Sequence, residues 1–263
     1  MIFTGLHVVL AEARKCLRIA WYYKFDMVMQ VVTLSFIFLL LVFFLGKGSV
    51  NSADLSTAVL GYLVWLYAIN MINAVGIELI GEAQAGTLEQ MYMSVSPPEL
   101  AMVGRAVAAL VTTTIMVGIL DIALVLFLHT PIPVSWTGLA MLLITLAGLF
   151  GFALIIGGAT LRFKHVGGLA NLMINVIFFT NGTLLSIDHF PGWLTAIANS
   201  LPTTQGVTLL REAVLHGRSL PTMWGDGSLP RLLGNSAVYL VIGWLVFEAG
   251  ARGARRRGSL GQY

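Results

Sequence analysis

One cysteine, Cys16, stands among 263 residues, which excludes a disulfide framework within the chain and any CxxC metal site. Charge is scarce too: Asp, Glu, Lys and Arg make up 10% of the chain, against about 25% in an ordinary soluble domain. The five histidines, His7, His129, His165, His189 and His216, are scattered singly, so the sequence offers no zinc cluster or acid–base set, and no catalytic residue is expected. A G-x-x-x-x-G-K-[ST] phosphate loop is missing as well. Gly46-Lys47-Gly48 lacks both the upstream glycine and the Ser/Thr after lysine, so an ATP site of that kind is excluded. The net charge of +3 is small and its basic residues sit near the ends of apolar runs, a poor footprint for nucleic acid. The first apolar run begins near Met27 behind a charged segment and without a small-x-small cleavage site, so no cleavable signal peptide is expected.

What is abundant is apolar: 57% of the residues are hydrophobic and the mean hydropathy is +0.87. A helix needs roughly 20 apolar residues to cross the hydrocarbon layer, and the backbone must satisfy itself there, as helices or a closed barrel. Long unbroken runs, not alternating ones, predict an all-α polytopic membrane protein. Six transmembrane spans are expected at 27–46, 57–78, 101–128, 136–160, 167–186 and 232–251. Residues 1–26 precede them as an interfacial amphipathic helix. Leu6, Val9, Leu10, Ala13, Leu17 and Trp21 fall on one side, and His7, Arg14, Lys15 and Arg18 on another. If the N-terminus is cytoplasmic, eleven Lys and Arg lie at inner ends and four (Lys47, Arg211, Arg218 and Arg231) outside. That asymmetry predicts a multi-pass protein of the cell membrane with both termini in the cytoplasm, residues 252–263 forming a basic tail. The outer segment 187–231 is too long for a structureless connection. Its two apolar stretches, 191–202 and 203–217, predict a re-entrant helix pair; an ordinary surface hairpin is the alternative.

Residues 81–100, GEAQAGTLEQMYMSVSPPEL, interrupt this pattern with Glu82, Glu89 and Glu99 and no Lys or Arg. After the turn at Gly86, Thr87 and Gln90 have the spacing of a capping box, in which Thr87 accepts from the Gln90 amide and Gln90 reaches back. Leu88, Met91, Tyr92 and Val95 recur at helical spacing, and Ser96-Pro97-Pro98 ends the run. The expectation is a short cytoplasmic helix at about 86–96, unstable alone, with an apolar stripe for a partner and an acidic surround. The alternative is a helix packed back on the chain's own inner ends.

Those residues carry a resemblance. The stretch Glu82…Gly86-Thr87-Leu88-Glu89…Ser96-Pro97 resembles the signature of ABC-2 type transporter permeases, and LPTTQGVTLLREAVLHG at 201–217 resembles that family's second recurrent stretch. The resemblance covers nearly the whole chain as one transmembrane domain, 1–263. It implies that Glu82, Gly86, Thr87, Leu88, Glu89, Met91, Tyr92 and Pro97 form a coupling helix docking into a separate ABC ATPase subunit. Two copies of that subunit, binding ATP and Mg, would serve a homodimer or heterodimer of permeases. It further implies an external gate around Pro202, Arg211 and Glu212. Arg162 and Lys164 are a candidate second cytoplasmic contact, or ordinary topology anchors.

Within the spans, Asp121 is the one acid well inside an apolar run, roughly 24 Å along its helix from Arg105. Asn70 with Asn73, and Asn171 with Asn175, each share a helical face. These five are translocation-path candidates, against a role as glue between helices. Gly148, Gly151, Gly157 and Gly158 permit close helix approach, with packing inside one subunit as the alternative. The expected function is export of a drug-like, antibiotic, peptide or lipid-like amphiphile, driven by the ATPase. A polysaccharide or glycolipid exporter is the alternative; residues 12–45 lack the Arg-Tyr…Ser…Leu-Gly…Trp pattern usual in such permeases. An ion-coupled carrier or intramembrane enzyme would need clustered acids, histidines or broken mid-span helices.

Overall fold

The structure is a computed structural model that describes residues 2–45, 52–84, 86–93, 98–128, 135–163, 166–182 and 190–257. Every element among them is helical. In chain order they are α1 (Ile2–Tyr22), α2 (Lys24–Leu45), α3 (Ser52–Ile72), a π-helical segment (Asn73–Ile77), α4 (Glu78–Gln84), α5 (Thr87–Met93) and α6 (Pro98–Leu128). There follow α7 (Trp136–Phe163), α8 (Gly167–Thr180), α9 (Gly192–Ser200), α10 (Pro202–Leu215), α11 (Leu220–Gly225) and α12 (Ser228–Arg257). Among the described residues, five helical stretches are long and apolar enough to cross a membrane: 24–44, 56–82, 98–122, 136–163 and 228–255.

Of the expected span at 167–186, residues 183–186 lie outside the described residues, and the described helix is short. Helix α8 has 14 residues, about 21 Å, against a hydrocarbon core of about 30 Å. Its end is set by side chains. After Thr180 the chain turns through Gly182 at φ 75°, and the Asn181 amide donates to the Gly61 carbonyl of α3 at 3.1 Å. Both α9 and α10 pack against α8. Pro202, at the start of α10, lies against Gly148 in the middle of α7; Gly206 faces Thr145, and Leu210 and Val214 meet Gly138 near the other end of α7. Helix α10 thus begins at mid-depth and rises antiparallel to α7. Its Thr203, Thr204, Gly206 and Val207 are buried, which explains why so polar a sequence tolerates that depth: Thr204 and Thr208 donate to backbone carbonyls.

Helix α1 divides its apolar arc between two solvents. Ala13 is buried and Val9 half-buried where α1 crosses α6 at Gly104, which lies against the Val9 carbonyl and the Glu12 side chain. Leu6, Leu10 and Trp21 stay exposed and are left for lipid. The chain passes into α2 without a break, because Tyr23 and Met27 continue the helical ladder.

Helices α7 and α12 make the closest pairing. A Cβ on Gly243 would lie 2.1 Å from the Gly151 carbonyl oxygen, and one on Gly250 would lie 2.5 Å from that of Gly158. Both pairs repeat after seven residues, two helical turns, so one seam of small residues brings the backbones together. Gly157 meets Val75 and Phe247, and Gly148 meets Pro202 and Ser236. Gly148, Gly151, Gly157 and Gly158 therefore all pack within the chain. Gly151→Leu is expected to cost at least about 1–3 kcal/mol by overpacking, seen as a melting temperature several degrees lower in detergent. Gly168→Ala, where a Cβ meets nothing within 4 Å, should leave it unchanged.

Candidate functional site

The charged residues that composition made scarce converge at the α1 end of the bundle. Arg105 of α6 is 2% exposed. Its Nε donates to Glu12 Oε1 of α1 at 3.2 Å, and its Nη2 pairs with Glu82 Oε1 of α4. Three helices remote in sequence are pinned by one guanidinium, whose fixed fork can serve two carboxylates at once. The cluster is not closed: Arg105 Nη1 and Glu82 Oε2 are buried without a hydrogen-bond partner, each at a cost of about 1–3 kcal/mol. Lys15 adds a second, exposed partner to Glu12.

Glu82 is also where the segment 81–100 joins the bundle. The Thr87 hydroxyl donates to the Glu82 carbonyl at 3.2 Å. The bond described at Thr87 thus ties α5 to the preceding helix and leaves its hydroxyl oxygen able to accept. Gly86, at φ 72°, makes the corner, since only glycine enters that region without penalty. Helix α5 follows as two turns. Met91 packs against the main core, whereas Gln90 is exposed and Met93 is 75% exposed. The side chains of Leu88, Glu89 and Tyr92, and all of Pro97 and Lys164, lie outside the described residues. Arg162 is exposed with its guanidinium over the Phe163 ring.

Above the Arg105 cluster, the second span carries its π-helical segment, Asn73–Ile77. Gly76 is wedged against Ile156 and Gly157, and the Thr160 hydroxyl donates to the Gly76 carbonyl at 3.3 Å. The widened turn places Asn73 and Glu78 on the wall of a cavity of about 300 Å³ between α1, the second span and α6, lined also by Cys16, Asn70, Arg105 and Thr112. Such wide turns recur at functional sites. Asn70 and Asn73 are brought together here. Asn171 and Asn175 are exposed on α8 and, like Asp121, do not line the cavity. Glu12, Cys16 and Glu78 do not stand out from the sequence alone. The signal that was available is the spacing of Glu78 and Glu82, one turn apart on the same helix as Asn70 and Asn73.

At the opposite end, Arg211 of α10 donates twice to the Thr57 carbonyl of α3, at 3.0 and 2.8 Å, and once to Gly182 at 2.9 Å. It staples α10 to the ends of two other helices. Pro202 is buried at the α10 tip. Glu212 pairs with Arg218, which also pairs with Asp226. Asp226 Oδ1 accepts the Ser228 amide at 2.9 Å and so caps α12. The bonds from Ser228 and then Arg218 hold its carboxyl down at about 2.

Arg105→Met should lower stability by about 3 kcal/mol, because it strands buried carboxylates; the triple variant Glu12→Gln, Glu82→Gln, Arg105→Met should recover part of the loss in the same detergent melting assay. Asp226→Asn should lower the melting temperature near neutral pH. A carboxyl depressed in the folded state stabilises fully above its unfolded value and loses that contribution as pH falls through the folded one. The gap between Asp226→Asn and wild type should therefore close between pH 4 and pH 2.

Residues 6–215 match the family model described as ABC-2 type transporter. Among curated proteins none matches. The matched range runs from the first turns of α1, through the Arg105 cluster and α5, to the end of α10. With the helical membrane architecture and the charged corner below the second span, this settles the assignment: the chain belongs to the ABC-2 type transporter family, as a membrane permease subunit.

Proposed function

We propose that this permease exports a drug-like, antibiotic, peptide or lipid-like amphiphile, and that α5 is the element on which its ATPase subunit acts. The observation that carries the reading is the linkage at Glu82. Its carbonyl holds Thr87 at the base of α5, while its carboxylate holds Arg105, and Arg105 holds α1 through Glu12. A push on α5 is thereby delivered to the second span, the third span and the surface helix together. The half-satisfied cluster suits a movable joint, because a fully paired one would resist rearrangement.

In this reading the α1 end faces the cytoplasm, in keeping with the eleven Lys and Arg on that side. ATP and Mg are bound by two copies of the partner ATPase, and a second permease subunit, identical or related, completes the pathway. The exposed side of α5, Gln90 and Met93, offers the contact area; Arg162 at the end of α7 stands as the second contact. Arg211 and the α10 tip at Pro202 form the gate at the far side.

Met93→Asp with Gln90→Arg changes only exposed side chains. It should abolish co-purification with the cognate ABC ATPase while leaving the melting temperature unchanged. Undiminished complex would refute the docking role. Glu82→Gln should leave the complex intact but lower transport for each ATP hydrolysed, read in proteoliposomes.

A further inference from the structure

The cavity beside the Arg105 cluster has a charge pattern that the force-transmitting linkage does not use. Arg105 already faces two carboxylates, Glu12 and Glu82, and Lys15 is engaged by Glu12. Glu78 lines the cavity and is exposed to it. Its backbone amide donates to the Asn73 carbonyl, and its carboxylate has no ion-pair or hydrogen-bond partner among the described residues. One acid is thus in excess at a site whose cation is doubly compensated. The side chain of Asn73, on the same wall, likewise has no hydrogen-bond partner among the described residues.

Shape adds to charge. Along the second span the lining runs from Glu78 through Asn73 and Ala74 to Asn70, and along α6 from Arg105 through Ala108 and Ala109 to Thr112. Each wall is about 10–12 Å long. A volume near 300 Å³ lies at the small end of ligand sites, enough for a head group with the first part of a chain. Ile19 and Ala20 of α1, with Ala74, Ala108 and Ala109, give the cavity its apolar walls. The roof is α1, the helix that divides its apolar face between bundle and lipid.

We infer that this cavity recognises the amine head of an amphiphile entering from the α1 side of the membrane. Glu78 takes the ammonium and Asn73 flanks it. A second anion would face Glu78, Glu82 and Glu12 together, so acidic amphiphiles are disfavoured. The inference names the substrate chemistry within the export reading above and rests on it. The amine can belong to a free amphiphile or to an aminophospholipid head group; the chemistry is the same.

Cys16, the single cysteine, lines the cavity and reports its occupancy. Burial first, then Glu12 and Glu78, push its thiol up, so alkylation by N-ethylmaleimide is followed at mildly alkaline pH. The full chain is placed in nanodiscs of phosphatidylglycerol, which carries no amine. Dodecylamine should slow Cys16 alkylation at concentrations where dodecanol and dodecanoate do not. Glu78→Gln should weaken that protection about tenfold, as expected for loss of one charge-assisted hydrogen bond. Equal protection by dodecanol would overturn the inference, as would undiminished protection in Glu78→Gln. So would a Cys16 that stays inert in the nanodisc without amine yet reacts in denaturant, because the cavity would then be closed by another chain. Slow alkylation in phosphatidylethanolamine nanodiscs without added amine assigns the site to a lipid amine and supports it. Should Glu78→Gln fail to fold, the amine-against-alcohol comparison on the wild type decides. The assay contains no ATPase, so its failure removes the amine site and leaves docking on α5 to its own test.

Discussion

A guanidinium almost entirely out of water organises the α1 end of this protein. Removing Arg105 from water alone would cost several kcal/mol; what offsets it is the pairing with Glu12 and Glu82. The consequence is positional. The surface helix, the base of the second span and the start of the third must keep station around one planar group. The main chain of Glu82 in turn holds Thr87, so α5, too short for stability of its own, takes its position from the same group. The cavity beside it is a result of the same convergence: α1 is drawn over the gap between the second span and α6, and a π-helical turn opens one wall.

The rest of the bundle is held by a different physics. The closest contacts described between α7 and α12 are between uncharged small residues, and in lipid no hydrophobic force favours helix association, so contact there depends on packing. Glycine at Gly151, Gly158, Gly243 and Gly250 lets the two backbones meet. The same device at Gly148 and Gly206 lets α10 reach mid-depth, and Arg211 then fixes the other end of α10 to Thr57 and Gly182. One chain thus combines close small-residue seams at α7 with a half-satisfied charge cluster at α1.

Much of this was legible in the sequence because lipid is a demanding solvent. Long apolar runs have few structural outcomes there, so the helices at 24–45, 98–128, 136–163 and 228–257 lie close to where hydropathy places them. The short helix after Gly86 was legible from its turn and spacing, and the glycines of α7 from their pattern. The length of α8 was not, because its end depends on Asn181 and Gly182 finding partners on α3 and α10, contacts separated by up to 120 residues. Nor was the bond of Thr87 to Glu82, since a capping pattern read along the chain takes no account of the helix before it.

Sequence alone determined that this is a helical membrane protein, which end of its spans is basic, where its polar interruption falls, and the family signature it carries. Only tertiary structure decided that Arg105 is a buried junction and not one more cation at a span's end, that Met91 turns inward while Met93 stays free, and that Glu78 and Asn73 share a cavity with Cys16. The reason is that hydropathy is a property of each residue against its solvent. Charge pairing and cavity formation are properties of residues against each other, and Glu12, Glu78, Glu82 and Arg105 meet only when three helices have already packed.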